Sequence, residues 1–167
     1  MFCGGTRRVT IPQVQVGNVI GLLEVLQDFK GKVDLARVAD ELRLELDDIL
    51  PAVEAAKLLH LLQVDTGDLI LTDDGRTLLS KNASGRKRML NKTLSGSGEF
   101  KAIIDFIRNE HKGEVAKDEL EGFLRENMPD LDAEQTFLWI VEWGRYALLL
   151  RYDTDNGKVK LAKAPKD

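Results

Sequence analysis

Only two histidines, His60 and His111, could supply an imidazole base or a metal ligand in this 167-residue chain. They stand 51 residues apart, and the surrounding sequence indicates no partner that would complete a catalytic pair. The single cysteine, Cys3, allows neither an internal disulfide nor a cysteine-built zinc site. Acidic residues are numerous, but their spacing places them on predicted solvent faces. The sequence therefore predicts a protein that is not an enzyme and that uses no metal or cofactor.

Nucleotide hydrolysis would require a glycine-rich loop ending in Gly-Lys, whose backbone N–H groups cradle phosphates. The Gly-Lys pair occurs at Gly31-Lys32 and at Gly157-Lys158. Leu26 and Tyr152 stand where the loop needs its first glycine, and a valine follows each lysine in place of Ser or Thr. The chain therefore has no P-loop.

The strongest aromatic cluster lies between Thr136 and Asp153 and contains both tryptophans. Trp139, Trp143 and Tyr146 share one stripe at helical spacing. Gly144 in the same helix costs about 1 kcal/mol relative to alanine, so we expect a neighbour to pack closely against it. The stripe is either a core anchor or part of a surface that contacts another domain.

The helices that must position this cluster are visible as hydrophobic periodicity. The first predicted helix covers residues 16–29, and its apolar face spans roughly 220° of the helical wheel, where about 100° suffices for a surface helix. One core cannot cover so wide a face, so we expect this helix also to contact a partner. The predicted partner-binding residues are Leu22, Val25, Phe29, Trp139, Trp143, Arg145 and Tyr146.

Shorter elements follow in the order of a winged helix-turn-helix. A second helix begins after an N-cap at Asp34, and a third runs over residues 46–62 with Pro51 in its first turns. Residues 63–71 predict a β-hairpin, and Thr72 opens a further helix. The predicted fold class is α+β, mostly α, with tandem winged helix-turn-helix units and short β-hairpin wings.

The same pattern recurs later in the chain. Lys112-Gly113-Glu114-Val115 mirrors Lys30-Gly31-Lys32-Val33 at an offset of 82, and the second hairpin tip, at 154–157, lies 90 residues beyond the first. A helix from Asp132 through Leu150 precedes that tip. A repeat of this length predicts two copies of one unit.

The predicted organisation has five parts. We expect flexibility at the glycines of the linker, although residues 83–94 could form a connecting helix. The parts are an N-terminal arm at 1–13, a first winged-helix unit at 14–82, a linker at 83–98, a second unit at 99–161 and a frayed tail at 162–167.

Helix-turn-helix proteins often bind DNA, for which they need Lys and Arg on the recognition helix. Residues 14–82 instead contain seven basic and thirteen acidic side chains, a net charge of −6. The local basic cluster Arg86–Arg88 falls in the predicted linker, where three charges are more often a solvated face. The sequence therefore argues against nucleic acid as a partner. The recognition helix itself carries Glu45, Asp47, Asp48 and Glu54 against Lys57.

Several of these segments also carry a family resemblance. From about Pro12 to Leu161 the sequence resembles the C-terminal AAA-associated domain, which follows the ATPase domain in ATP-binding subunits of nitrate-, sulfonate- and bicarbonate-type ABC transporters. The resemblance implies a non-catalytic appendage of a transporter ATPase and transfers no functional residues. The matching segments are Pro12–Gly17, Gly21–Glu24, Leu35–Pro51, Leu71–Arg76 and the more specific block Trp143-Gly144-Arg145-Tyr146-Ala147 with Tyr152-Asp153.

Together, these observations predict a non-catalytic regulatory or interaction module of such an ATPase. The expected partner is the ATPase domain or subunit, and a homodimer stays open. No stretch approaches the roughly 18 apolar residues of a membrane span, so we expect a cytoplasmic chain without direct membrane insertion, reaching the inner face of the membrane only through a transporter complex. Met1 just ahead of the matching region is interpreted as the start of a stand-alone copy or of a piece of a longer subunit. The alternatives are a winged-helix transcription regulator and a small-ligand sensor with a pocket between the halves.

Overall fold

The computed structural model describes residues 11–96 and 98–163. Most of the predicted arm, including Cys3, and the last four residues of the predicted tail lie outside the described residues. The described chain is mostly helical, with two small antiparallel sheets. Its first half contains α1 (Val16–Asp28), β1 (Lys32–Asp34), α2 (Leu35–Leu42), α3 (Leu46–Leu58), β2 (Leu62–Asp65), β3 (Asp68–Leu71) and α4 (Asp73–Ser80). After α5 (Ala83–Ser95), the second half contains α6 (Gly98–His111), β4 (Glu114–Ala116), α7 (Lys117–Asn127), α8 (Ala133–Tyr146), β5 (Leu150–Asp153) and β6 (Lys158–Leu161).

The predicted N-caps are confirmed by side chains that accept a backbone N–H of the first turn. Asp34 Oδ1 accepts from Ala36 N at 2.8 Å, and Thr72 Oγ1 accepts from Gly75 N at 3.0 Å. Asp132 starts α8 in the same manner. Each bond satisfies a donor that the helix cannot pair internally, so these local signals place the helix starts correctly.

The predicted ends of the two long third helices are wrong. We expected them to continue to Leu62 and Leu150, but α3 ends at Leu58 and α8 ends at Tyr146. The reason is a left-handed residue just after each helix, His60 with φ of 61° and Leu148 with φ of 62°. A residue with positive φ turns the chain out of the helix, so the leucines that follow enter β-strands.

Both sheets have three strands in the same order, β1-β3-β2 and β4-β6-β5. The hairpins β2–β3 and β5–β6 confirm the two predicted hairpins. The third strands, β1 and β4, were not predicted, because three residues are too few to show an alternating pattern. Each places one buried valine in its sheet: Val33 pairs with Leu69, and Val115 pairs with Val159.

The two halves repeat individual backbone hydrogen bonds. The carbonyl of Gly31 accepts from Leu71 N, and that of Gly113 accepts from Leu161 N. At the end of α3, Leu59 N donates to Ala55 O. At the end of α8, Ala147 N donates to Trp143 O, and both residue numbers are higher by 88. The left-handed residues His60 and Leu148 have the same spacing. These bonds give a residue-by-residue correspondence between α3 and α8.

Most of the wide apolar face of α1 is covered within the chain, and Val25 and Phe29 at its edge stay half-buried. This helix packs against α2, α3 and α4 of its own half, and also against α8 of the second half. The residues linking the halves form α5, which contacts α4 and α6 and buries Leu90 and Leu94. The connecting helix that we left open for residues 83–94 is therefore present. A single hydrophobic cluster runs through both halves.

Candidate interaction surface

The aromatic cluster on α8 ties the start of the chain to the second half. Trp143 is fully buried, and its indole Nε1 donates to the carbonyl of Val14 at 2.7 Å. Next to it, Glu142 Oε2 accepts from the backbone N–H of Val16 at 3.1 Å. A Cβ built on Gly144 would lie 2.6 Å from Leu150 Cδ1. Leu150 is thus the close neighbour that the mid-helix glycine led us to expect.

Two of the predicted partner-binding residues need correction. Leu22 has 1% of its surface exposed and Trp143 has 0%, because each packs inside the core of the chain itself. Neither side chain is available to a partner in this structure. The apolar face that suggested a docking surface is buried at these positions within the chain, where α1 packs against α2, α3, α4 and α8.

The other five predicted residues lie at or near the surface, in two separate places. Val25 and Phe29 of α1 are half-buried, and the guanidinium of Arg37 lies 5.2 Å from the Phe29 ring centre. On α8, Trp139 and Tyr146 are half-buried and Arg145 is exposed, while Lys87 Nζ lies 5.6 Å from the Tyr146 ring centre.

Two members of the basic cluster Arg86–Arg88 on α5, Arg86 and Lys87, contact other parts of the protein. Arg86 donates from Nε to the carbonyl of Leu78 at 3.2 Å and from Nη2 to that of Leu79 at 3.0 Å. These carbonyls belong to the last turn of α4, where carbonyls lack the full set of intrahelical partners; that of Leu78 also accepts from Lys81 N. All three basic side chains are half-buried. Arg86 therefore links α5 to the end of α4, which makes the cluster less available as a free cationic surface.

The two histidines occupy unrelated places. His60 is exposed, and its carbonyl accepts from Thr72 Oγ1 at 2.8 Å. His111 Nδ1 lies 3.4 Å from Glu119 Oε2, and the His111 ring meets Phe106 edge-on at 4.8 Å. In the described part of the chain, no group of three or more His, Cys, Asp or Glu side chains is arranged to hold a metal ion.

Sequence reasoning missed an exposed apolar surface on α3. Of the six large hydrophobic side chains that are exposed among the described residues, four lie on or beside this helix. Leu46 and Leu50 lie in the predicted third helix and are 47% and 40% exposed, at the edge of the buried stripe that includes Ile49 and Val53. The signal was a second i, i+4 apolar pair, out of phase with the buried stripe. The four residues are Leu44, Leu46, Leu50 and Val64.

A groove of about 1500 Å³ runs along this side of α3. Its apolar lining includes Leu50, Pro51 and Leu58 from the helix and Val64 from β2. Residues 11–13 and the end of α5 border it. We call this feature the α3 groove.

The α3 groove is acidic. Four carboxylates line it against two basic side chains, and both basic groups are already paired. Lys57 Nζ lies 3.3 Å from Glu54 Oε1, and Arg76 Nη1 lies 3.3 Å from Asp73 Oδ1. Such a surface repels phosphate groups and favours cations. The remaining carboxylates are those of Asp47 and Asp74.

Comparison with known families decides the class of the chain. Residues 36–153, from the second residue of α2 to the end of β5, match the model of the C-terminal AAA-associated domain. The chain belongs to this family. The family description indicates an accessory domain associated with an ATPase rather than a catalytic domain.

No curated protein and no solved structure matches the chain significantly. None of the helices that the structure describes is both long and apolar enough to cross a membrane.

Proposed function

We propose that this C-terminal AAA-associated domain is a cytosolic regulatory module of the ATP-binding subunit of a nitrate-, sulfonate- or bicarbonate-type ABC transporter. The family match over residues 36–153 carries the proposal. The module binds the ATPase domain and biases its turnover through the free energy of docking, without chemistry of its own.

The proposal includes the identification of both halves as winged helix-turn-helix units. Each half has the order helix, strand, helix, helix, strand, strand, and each sheet inserts its last strand between the other two. This order is that of a helix-turn-helix followed by a hairpin wing. The repeated backbone bonds of the two halves support a duplication with units near 14–82 and 99–161.

We propose that the contact surface of the module includes the five predicted partner-binding residues that are accessible. Val25 and Phe29 present a partly apolar patch on α1, and Trp139, Arg145 and Tyr146 present a second patch on α8. Aromatic and Arg side chains of this type are enriched at protein interfaces. A homodimer built on either patch remains part of the proposal.

The charge of α3 disfavours the transcription-regulator alternative. A DNA-reading winged helix inserts this helix into the major groove, where phosphates flank it on both sides. Here the exposed side of α3 carries Asp47, Asp48 and Glu54, and Lys57 is paired with Glu54. Protein is therefore the better partner for this fold.

The test is the ATPase rate of a purified ATP-binding subunit of this transporter type, measured with and without the chain. We expect association of the two proteins and a changed turnover. Unchanged turnover together with no detectable association would overturn the proposal. In a parallel gel-shift assay with duplex DNA we expect no retardation at low salt, whereas retardation with a steep salt dependence would support the transcription regulator instead.

A further inference from the structure

The correspondence between α3 and α8 shows what covers this side of the helix in the second half. Adding 88 to a residue number of α3 gives its counterpart in α8, as the bonds at the helix ends establish. Glu54 therefore corresponds to Glu142, and Pro51 to Trp139. Glu142 and Trp139 are half-buried, whereas Glu54 and Pro51 are exposed.

The occupant in the second half is a helix whose first turn is held by a glutamate. Glu142 Oε2 accepts the backbone N–H of Val16, which is the first residue of α1. The N-cap residue of α1, Gln15, makes no side-chain cap, so Glu142 provides the acceptor from outside the helix. A carboxylate at a helix N-terminus also interacts favourably with the helix dipole. Beyond this bond, α1 packs more extensively against α2, α3 and α4 of its own half than against α8.

The same side of α3 has a glutamate and exposed apolar side chains, and among the described residues no helix N-terminus is bonded to that glutamate. The Glu54 side chain is 64% exposed and forms an ion pair with Lys57 on the same helix. Leu50 and Val64 are 40% and 43% exposed along the groove beside it. The first half thus repeats the glutamate that holds a helix N-terminus in the second half, and within the described chain no helix N-terminus is bonded to it.

We propose that the α3 groove binds an amphipathic, positively charged helix of the partner ATPase subunit. The apolar side of that helix lies on Leu50, Leu58 and Val64. Its N-terminus faces Glu54, as the N-terminus of α1 faces Glu142. Its Lys or Arg side chains lie opposite Asp47 and Asp74, which have no ion pair with another described residue. This inference rests on the proposed function, since it assigns the surface through which the module docks.

Charge complementarity selects this occupant over other amphipathic helices. An acidic helix would add like charges to a groove with four carboxylates and two basic groups that are already paired. Like charges placed together at an interface suppress binding, whereas opposite charges speed association and fix the orientation of the partner. A basic helix is therefore preferred.

The direct test uses a synthetic probe and the full 167-residue chain. The probe is a 16-residue helical peptide with leucine on one side and lysine on the other, and its counterpart has glutamate in place of lysine. Calorimetry should show binding of the lysine peptide and at least tenfold weaker binding of the glutamate peptide. No binding of the lysine peptide, or equal binding of the two, would overturn the inference.

Leu50→Asp is the critical variant, and Leu138→Asp is its matched control, since Leu138 occupies the corresponding exposed position of α8. We expect Leu50→Asp to weaken the lysine peptide at least tenfold and Leu138→Asp to weaken it less than twofold. A second variant, Asp47→Lys with Asp74→Lys, changes exposed side chains only and should weaken the peptide at least fivefold. Because both residues lie in the first turn of a helix, the thermal unfolding midpoint should fall by a few degrees, and circular dichroism should show that the variant stays folded at the temperature of the binding assay. Equal affinity for all of these proteins would overturn the inference.

The same variants separate this inference from the proposed function. When the wild-type chain associates with the ATP-binding subunit and Leu50→Asp does not, both hold. When association is the same in wild type and Leu50→Asp, the function holds and the assigned surface is wrong. When the wild-type chain binds the lysine peptide but never the subunit, the proposed function fails and the assigned partner fails with it.

Discussion

The indole Nε1 of Trp143 donates a 2.7 Å hydrogen bond to the carbonyl of Val14, although 129 residues separate the two along the chain. Trp143 lies on α8, and Val14 lies in the segment that leads into α1. Both residues are buried. An indole N–H can only donate and a buried carbonyl requires a donor, so each satisfies the other. The bond joins the first half of the chain to the second.

Trp143→Phe is expected to lower the free energy of unfolding by about 2–3 kcal/mol. The change removes part of a fully buried ring and leaves the carbonyl of Val14 without its donor. Urea denaturation measures the loss. The control is Trp139→Phe, since Trp139 is half-buried and makes no hydrogen bond with the described residues; its loss should be under about 1 kcal/mol. Equal losses for the two variants would contradict the assigned role of Trp143.

Gly144→Ala is expected to destabilise the protein by about 1–3 kcal/mol, although alanine favours helices over glycine by about 1 kcal/mol. The new Cβ would approach Leu150 Cδ1 and Cγ to 2.6 and 2.8 Å, and Leu150 is itself buried. In Gly122→Ala the Cβ meets nothing within 4 Å, so this variant should gain about 0.5–1 kcal/mol. Thermal unfolding of both proteins gives the comparison, and a gain in both would show that Leu150 moves aside freely.

Local chemistry explains why much of the fold was predictable from the sequence. The N-caps at Asp34 and Thr72 depend only on a side chain and the next three residues, and the hairpin at 62–71 depends on a turn between two short apolar runs. The recurring Lys-Gly turn was visible because its glycine takes positive φ in both halves, 91° at Gly31 and 93° at Gly113. Such features need no knowledge of distant contacts.

The interaction surface was less predictable because periodicity identifies an apolar face without identifying what covers it. Leu22 and Trp143 have the pattern of a docking stripe, yet both are buried within the chain, and Trp143 bonds to Val14 of the other half. Conversely, Leu50 has the pattern of a core residue and is exposed. Which of two apolar faces is buried depends on how the halves pack, and that packing joins residues more than 120 positions apart.

The turn at the tip of the second hairpin should respond to acid. The side chain of Asn156 and the backbone N–H groups of Asn156 and Asp155 donate to the carboxylate of Asp153, and they hold the pKa of Asp153 below its usual value near 3.8. Because the pKa is lowered on folding, the contribution of this carboxylate to stability is present above pH 3.8 and is lost as the pH falls through the folded-state pKa. An NMR titration of Asp153 should give a midpoint below 3.8.

Asn156→Ala should shift that midpoint upward, since it removes the donor with the largest effect on the pKa of Asp153. The control is Asn109→Ala on α6, an exposed asparagine far along the chain from this turn. It should leave the titration of Asp153 unchanged. A midpoint at or above 3.8 in the wild-type protein would show that the hydrogen bonds of the turn are not kept in solution.

Glu121→Met is expected to raise the free energy of unfolding at neutral pH by about 1–2 kcal/mol. Glu121 is only 5% exposed, and its Oε2 has no hydrogen-bond partner in the part of the chain that the structure describes. A buried carboxylate oxygen without a partner loses its hydration and gains nothing in return, whereas a methionine of similar size fills the same space. The corresponding residue of the first half, 82 positions earlier, is the buried Ala39, so an apolar side chain suits this place in α7.

The control is Glu126→Met, at an exposed position of the same helix, which should change the stability by less than about 0.5 kcal/mol. Urea denaturation compares the two variants. A loss of stability in Glu121→Met would contradict the prediction, because it would show that the Glu121 carboxylate stabilises the folded state.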